Sequence, residues 1–370
     1  MSNWKKYKLD DFAEINPSES IPKGTVAKKI PMEAIQPFTK RIPSFSFEEY
    51  NGGVKFKNGD TIMARITPSL ENGKTSYVDI LDDGEIGFGS TEFIVFREKQ
   101  DVSDKHFVYY LATSPIVRNT AIKSMTGSSG RQRVQTDVVK EHLFDAPELP
   151  EQKAIAEVLS SLDDKIDLLH RQNKTLEQMA ETLFRQWFVE EAKEDWEEGK
   201  LGDYVNIAYG KNLPTKKLQD VGYPVFGGNG QIGFYEKFLY KSPQVLVSCR
   251  GEASGVVNFS LENSFVTNNS LILERTKRQE ITFEYLKYFA LNTNFRTFVT
   301  GSAQPQITIT TLFEADFILP DVQSINKFTV IVSEIENKRT INQTQICTLE
   351  KMRDTLIPKL MSGEIRIQMS

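Results

Sequence analysis

Between Pro150 and Val189 the apolar positions fall four and three residues apart without a break. Ile155, Leu159, Leu162, Ile166, Leu169, Leu176, Ala180, Leu183 and Trp187 occupy them, and Asn173 fills the one polar slot. That spacing is a heptad seam, the mark of a helix whose stripe packs on another helix. After Pro150 no glycine or proline interrupts it, so the pattern predicts a single helix roughly 50 Å long, given a rise of about 1.5 Å per residue. Such a helix has no compact core of its own and needs a partner, while an Asn on the seam sets register at some cost in stability. A second pattern follows Leu319-Pro320-Asp321, with Ile325, Phe328, Val332, Ile335, Ile346, Leu349 and Leu356 near heptad spacing. Leu349-Glu350-Lys351-Met352 repeats Leu176-Glu177-Gln178-Met179. The partner helix is therefore expected in the same molecule.

The chain ahead of each helix has a different texture. Short runs rich in β-branched and aromatic residues, Thr61 to Ile66, Phe93 to Phe96, Val245 to Val247 and Ser270 to Leu273, are punctuated by Gly, Asn and Pro, which predicts mainly β units. One short helix per unit fits Lys105 to Thr113 and Thr282 to Leu291. The units repeat, and fixed-offset similarity governs any reading of architecture. Trp4, Lys8, Leu9, Asp11 and Ile15 reappear as Trp196, Lys200, Leu201, Asp203 and Ile207, each 192 positions on. The stretch from Gly59 to Arg65 resembles that from Pro243 to Arg250, each an apolar strand delivering an arginine, which matches Arg65 with Arg250. Phe88 to Ile94 matches Phe265 to Leu271, and Gly127-Ser128 with Gln132 matches Gly301-Ser302 with Gln306. The expected organisation is a first unit at 1–149, a helix at 150–190, a second unit at 191–319, and a second helix with a tail at 320–370. Acidic Glu190 to Glu198 reads as a linker. The fold class expected is α+β, two mainly β domains separated by two long helices in a pseudo-two-fold internal repeat, and the length suffices for two cores.

Composition narrows the chemistry. Lys and Arg number 45 against 50 Asp and Glu, for a net charge of -5, and residues 151–195 hold the deficit with 6 basic and 11 acidic side chains. The globular units are near neutral, which permits a basic face on each without requiring one. Two cysteines, Cys249 and Cys347, make neither a disulfide framework nor a metal spacing. No signal-like N-terminus and no apolar run of about 18 residues is present, so the expectation is a cytoplasmic protein with no membrane partner. Gly228 to Gly233 spells a dinucleotide fingerprint, but Phe234-Tyr235-Glu236-Lys237-Phe238 has β texture where a helix should open beneath a pyrophosphate. A glycine-rich loop is the better reading. Pro320-Asp321 with Glu336-Asn337-Lys338 spells a metal-nuclease pattern whose acid and lysine belong on a strand beside Mg²⁺; here the triplet falls on a long helix and reads as charge on a solvated face. His106, His142 and His170 lack ligand spacing. No catalytic centre, metal or cofactor is expected in this chain.

Leu149-Pro150-Glu151-Gln152-Lys153-Ala154-Ile155, the Leu183 to Val189 close of the first helix, and Pro358-Lys359-Leu360-Met361-Ser362-Gly363-Glu364-Ile365 form a specific set. With Gly227-Gly228-Asn229-Gly230 and the strand ending Cys249-Arg250-Gly251, the chain resembles the DNA-specificity subunits of type I restriction-modification systems along essentially its whole length. The resemblance implies a non-catalytic reader of double-stranded DNA. Two target-recognition domains would each read half of a split site, while two helices, packed antiparallel as a spacer, dock methyltransferase subunits and restriction subunits join the assembly. S-adenosylmethionine, ATP and Mg would serve those partners and not this chain. The alternative of another class is a coiled-coil scaffold whose two domains bind ligands other than DNA.

For a DNA reader, phosphates supply affinity and base edges supply discrimination. In the first unit the loop from Gly127 to Arg133 offers Ser128, Arg131, Gln132 and Arg133, and Arg and Gln make bidentate contacts to guanine and adenine. Arg65, Ser90 and Thr91 complete the first set. The second set is Asn229, Arg250, Asn268, Asn269, Gln304 and Gln306, the last two in a loop from Gly301 to Gln306 that lacks both arginines. The competing reading is solvated or ion-paired arginines and asparagines serving turns.

Overall fold

The computed structural model describes residues 4–128, 130–301 and 304–367. Two compact units divide the chain, one from Met1–Arg171 with Asn342–Ser370 and the other from Gln172–Ile341. The long helices are Leu149–Arg185, which closes in a π turn at Gln186–Glu190, and Val322–Met361. Each unit contains a sheet-rich part and one half of each long helix.

In the first unit Lys5–Lys8 pairs antiparallel with Leu143–Ala146. A four-stranded antiparallel sheet runs Ala13–Ile15, Phe93–Glu98, Thr61–Ala64, Thr75–Tyr77. A second sheet runs Ser46–Glu49, Val26–Ile30, Ile86–Gly89, Val54–Lys57, with its middle pair parallel. Helix Lys105–Thr113 lies where predicted, started by Asp104, whose carboxylate accepts from the amides of His106 and Phe107, satisfying donors that a helix start leaves open. Phe12, Phe96, Phe107 and Tyr110 form the core with Ile155 and Leu159 of the first long helix and Leu360 and Met361 of the second.

The second unit repeats this plan. Glu197–Lys200 pairs with Asp316–Leu319, and one sheet runs Asn206–Tyr209, Ser270–Glu274, Val245–Ser248, Val257–Phe259. The other has three strands, Gly230–Tyr235, Tyr223–Gly227, Phe265–Val266, again with a parallel pair. Helix Phe283–Asn292 answers Lys105–Thr113. The strand Glu197–Lys200 corrects the reading of Glu190 to Glu198 as a linker, as does Trp196, whose buried ring stands 5.8 Å from Phe188. An acidic run read as a linker still ends in a strand because its backbone finds a partner. A strand at Gly230–Tyr235 stands where the fingerprint would need a helix; it takes in Phe234 and Tyr235 of the β-textured segment and also Gly230 to Gly233, which corrects the reading of that stretch as a loop, because its backbone pairs with Tyr223–Gly227.

The seam residues pack within each unit. In the first, Ile155, Leu159, Ile166 and Leu169 are buried and Leu162 half-buried, with Ile166 and Leu169 against Ile346 and Leu349 and with Leu356 against the core nearer Ile155. In the second, Leu176 is half-buried, the Asn173 amide donates to the Arg339 carbonyl at 3.3 Å, and Leu183 and Trp187 pack with Phe328, Val332 and Ile335. Rising positions on one helix meet falling positions on the other, so each half-pair is antiparallel.

One polar feature occurs twice. The Tyr110 hydroxyl donates to Asp163 at 2.6 Å and the Tyr288 hydroxyl to Glu336 at 2.6 Å. Arg353 pairs with Asp163 at 2.9 Å, while Lys287 and Arg339 pair with Glu336 at 2.8 and 3.0 Å. Glu336 is therefore no solvated charge. The nuclease-like triplet owes its acid to a half-buried ion-pair cluster joining helix Phe283–Asn292 to the long helix, and Asp321 caps that helix by accepting from the Ser324 amide at 2.9 Å.

Candidate functional site

In the first unit three segments meet at the end of strand Thr61–Ala64. The Arg65 amide donates to the Glu92 carbonyl at 2.8 Å, tying the strand end to the turn that begins at Ser90. The Val134 amide donates to the Arg65 carbonyl at 2.8 Å and the Thr67 amide to the Gln132 carbonyl at 3.0 Å, tying it to the loop as well. Arg133 bridges both Ile66 and Thr126. The loop closes on itself at Gly127, whose φ of +130° and whose clearance from the Arg131 carbonyl, 3.0 Å from where a Cβ would stand, require glycine. Side chains converge on Glu92. Arg133 donates from Nε at 2.9 and 3.1 Å and from Nη2 at 2.6 Å, and Arg65 Nε stands 3.6 Å away, an ion pair longer than a hydrogen bond. The Glu92 carboxylate raises the Arg133 guanidinium above its ordinary value. Arg131, Ser128 and Thr91 are exposed, Gln132 and Ser90 half-buried, and Ser90 Oγ accepts from the Glu92 amide at 3.1 Å.

The second unit builds the same junction. The Cys249 amide donates to the Asn269 carbonyl at 3.0 Å, the Ile307 amide to the Cys249 carbonyl at 3.1 Å and the Gly251 amide to the Pro305 carbonyl at 2.9 Å, while Gln306 bridges Arg250 and Thr300. These bonds correspond one for one with those of the first unit, and they correct the sequence matching by one position. Arg65 answers Cys249, not Arg250; Arg250 answers Ile66; Gln306 answers Arg133, not Gln132; Asn269 answers Glu92. Neighbours on an extended strand face opposite ways, so Arg65 and Arg250 do not occupy equivalent places. Arg250, Asn269, Gln304 and Gln306 are exposed, and Asn268 is half-buried. Exposed Asn229 sits between strands Tyr223–Gly227 and Gly230–Tyr235, where the Gly228 carbonyl accepts from Ser248 Oγ and, at 3.1 Å, from Asn258 Nδ2. That contact brings the hairpin to the same strand end. Ser129, Ser302 and Ala303 of the predicted loops lie outside the described residues.

Each unit thus gathers its predicted residues at one rim, and the rims differ in chemistry. The first presents arginines around an acid; the second presents amides and one arginine. Glu92 is the residue that sequence reasoning missed, although it directly follows Ser90-Thr91 in the matched turn. Among the described residues no group of three or more His, Cys, Asp or Glu is arranged to hold a metal ion, and no helix is long and apolar enough to cross a membrane.

Residues 1–178 and 193–351, one stretch for each half of the repeat, match the family described as the type I restriction modification DNA specificity domain. The chain belongs to that family. Among its relatives, the type I restriction enzyme MjaIX specificity subunit of Methanocaldococcus jannaschii is 25% identical over 309 residues, covering 71% of this chain and 69% of its own. The type I restriction enzyme HindI specificity subunit of Haemophilus influenzae is 22% identical, covering 99% of this chain and 100% of its own. The crystal structure of the type I restriction-modification system S subunit from M. genitalium shares the fold, with a TM-score of 0.63 at 21% identity over 100% of this chain and 97% of that one. The specificity-subunit family thus accounts for the doubled units and the paired long helices together.

Proposed function

We propose that this chain is the sequence-reading subunit of a type I restriction-modification complex, each unit reading one half of a split double-stranded DNA site through its rim. The observation that carries the reading is the doubled junction, identical in backbone hydrogen bonding and different in side chains. Two readers of unlike half-sites need that combination: a shared frame holds the reading groups at the same place, and Arg, Gln and Asn there suit guanine and adenine edges. Exposed Arg131 and Arg250 add charge for phosphates. The chain itself would perform no chemistry. Methyltransferase subunits using S-adenosylmethionine, with base flipping, and restriction subunits using ATP and Mg²⁺ would act on the site that it selects, in the cytoplasm. The long helices would dock the methyltransferase subunits and space the half-sites. Exchanging residues 1–145 for those of a relative and sequencing the methylated adenines tests this. The expected result is one half-site changed and the other kept; both halves changing together, or neither, would defeat the proposal.

A further inference from the structure

Arg133 is held unusually completely for an arginine at a rim. Its backbone is fixed from two sides, by Ile66 and by Thr126. Its side chain is fixed along one edge, Nε and one N–H of Nη2, by the Glu92 carboxylate at 2.6 to 3.1 Å. The guanidinium carries five N–H donors in a planar fork, so the end edge, Nη1 with the outer N–H of Nη2, keeps three of them. No protein group among the described residues takes the Nη1 donors. The Arg133 side chain is 45% exposed and Glu92 22% exposed, so the arginine is the more open member of the pair. That edge, like the one held by Glu92, presents two parallel donors of the kind that fit O6 and N7 of guanine. The second unit has no such clamp, with Asn269 where Glu92 stands and Gln306 where Arg133 stands.

We propose that Glu92 is a positioning residue for specificity, which clamps Arg133 so that the end of its guanidinium reads a guanine in the half-site of the first unit. The inference rests on the DNA-reading function proposed above. Two consequences separate it from a plain structural ion pair. An arginine held along one edge cannot swing to the nearest phosphate, so its contact depends on the base. The Glu92 charge also offsets one of the two arginines beside it, so Arg65 and Arg133 together attract phosphates less than two unpaired arginines would. Removing the clamp should then loosen discrimination while leaving attraction to DNA in general unchanged or stronger. Loss of a structural pair would weaken every sequence alike.

The test uses the full chain in its methyltransferase complex, with methylated sites sequenced for wild type, Glu92→Gln, Arg133→Lys and the double variant, and with retention measured on random-sequence duplexes. The half-site set by residues 1–145 is expected to contain a guanine whose discrimination falls about tenfold or more in Glu92→Gln, the range of one bidentate contact. The other half-site stays unchanged, and retention on random duplexes does not fall. Arg133→Lys, which keeps the charge and loses the fork, relaxes the same position, and the double variant goes no further than Arg133→Lys alone. A half-site without guanine, unchanged preference at every position, or a uniform loss at all sites overturns the clamp. If the 1–145 exchange moves one half-site while Glu92→Gln moves nothing, the clamp fails and the DNA-reading function stands. If the exchange moves neither half, both fail.

Discussion

Single residues on the long helices do more than fill a seam. Asp163 and Arg353 are both buried, with side chains 6% and 8% exposed, and Tyr110 donates to the same carboxylate. Breaking a buried pair by removing one partner strands the other charge. Asp163→Asn should therefore cost about 3 kcal/mol, read as a lowered urea midpoint, and Asp163→Asn with Arg353→Met should recover most of it. Asp321 shows the pH side of the same physics. It accepts from Lys193 at 2.9 Å, from Trp196 Nε1 at 3.1 Å and from Ser324, and the Lys193 bond first, then the Ser324 amide, holds its carboxyl well below the ordinary carboxylate range. A depressed folded pKa stabilises above the unfolded value, about 3.9, and that contribution disappears as pH falls from there toward the folded value. Asp321→Asn keeps an acceptor for the Ser324 amide, since Asn caps about as well as Asp, and should lose the solvent-screened Lys193 ion pair, at most about 1 kcal/mol at neutral pH. Its stability should then vary less with pH below about 4 than that of the wild type, as acid titrations of the two proteins would show.

At the scale of elements, the heptad period was legible because it repeats over many turns of one helix. Phe184 and Phe188 were not, because each lies one residue past a seam position, although both are buried where the seam's own Leu183 and Trp187 are half-buried. Their rings stand 5.8 and 5.1 Å from Phe328, which Trp187 and Tyr288 also flank at 6.4 and 5.9 Å. Those aromatic contacts join the two helix halves of the second unit to its helix Phe283–Asn292, a junction that only the packed unit reveals. Phe328→Ala should cost about 3–5 kcal/mol through the cavity it leaves, while Met179→Ala, at a residue 53% exposed, should shift a thermal melt little. If both variants melted alike, the aromatic cluster would not be the anchor of that unit.

For the whole molecule, the proposed spacing role of the helices has a direct consequence. One heptad added to each long helix keeps the seam in phase, whereas five or six residues turn it toward water. Seven residues lengthen a helix by about 10 Å, or about three base pairs of DNA at 3.4 Å each, less what the DNA absorbs by bending. The extended variant should methylate the same half-sites at a spacing about three base pairs longer, as sequencing of its methylated sites would show. Methylation retained at the original spacing would mean that the helices do not set it.

The sequence by itself determined what depends on period and on order along the chain. The long helices, the strands Thr61–Ala64, Phe93–Glu98, Val245–Ser248 and Ser270–Glu274, and the doubling announced by Trp4 and Trp196 all follow from local patterns repeated at fixed offsets. Only the tertiary structure decided which residues answer one another at the two rims. The first loop is one residue longer between Thr126 and Arg133 than the second between Thr300 and Gln306, and a one-residue slip exchanges the faces of an extended strand. No pattern of side-chain types distinguishes Arg65 paired with Cys249 from Arg65 paired with Arg250; the backbone hydrogen bonds across three segments do. Glu92 stayed hidden for the same reason, since an acid acquires its role at this rim from two arginines 27 and 41 positions away that meet it only when the unit folds.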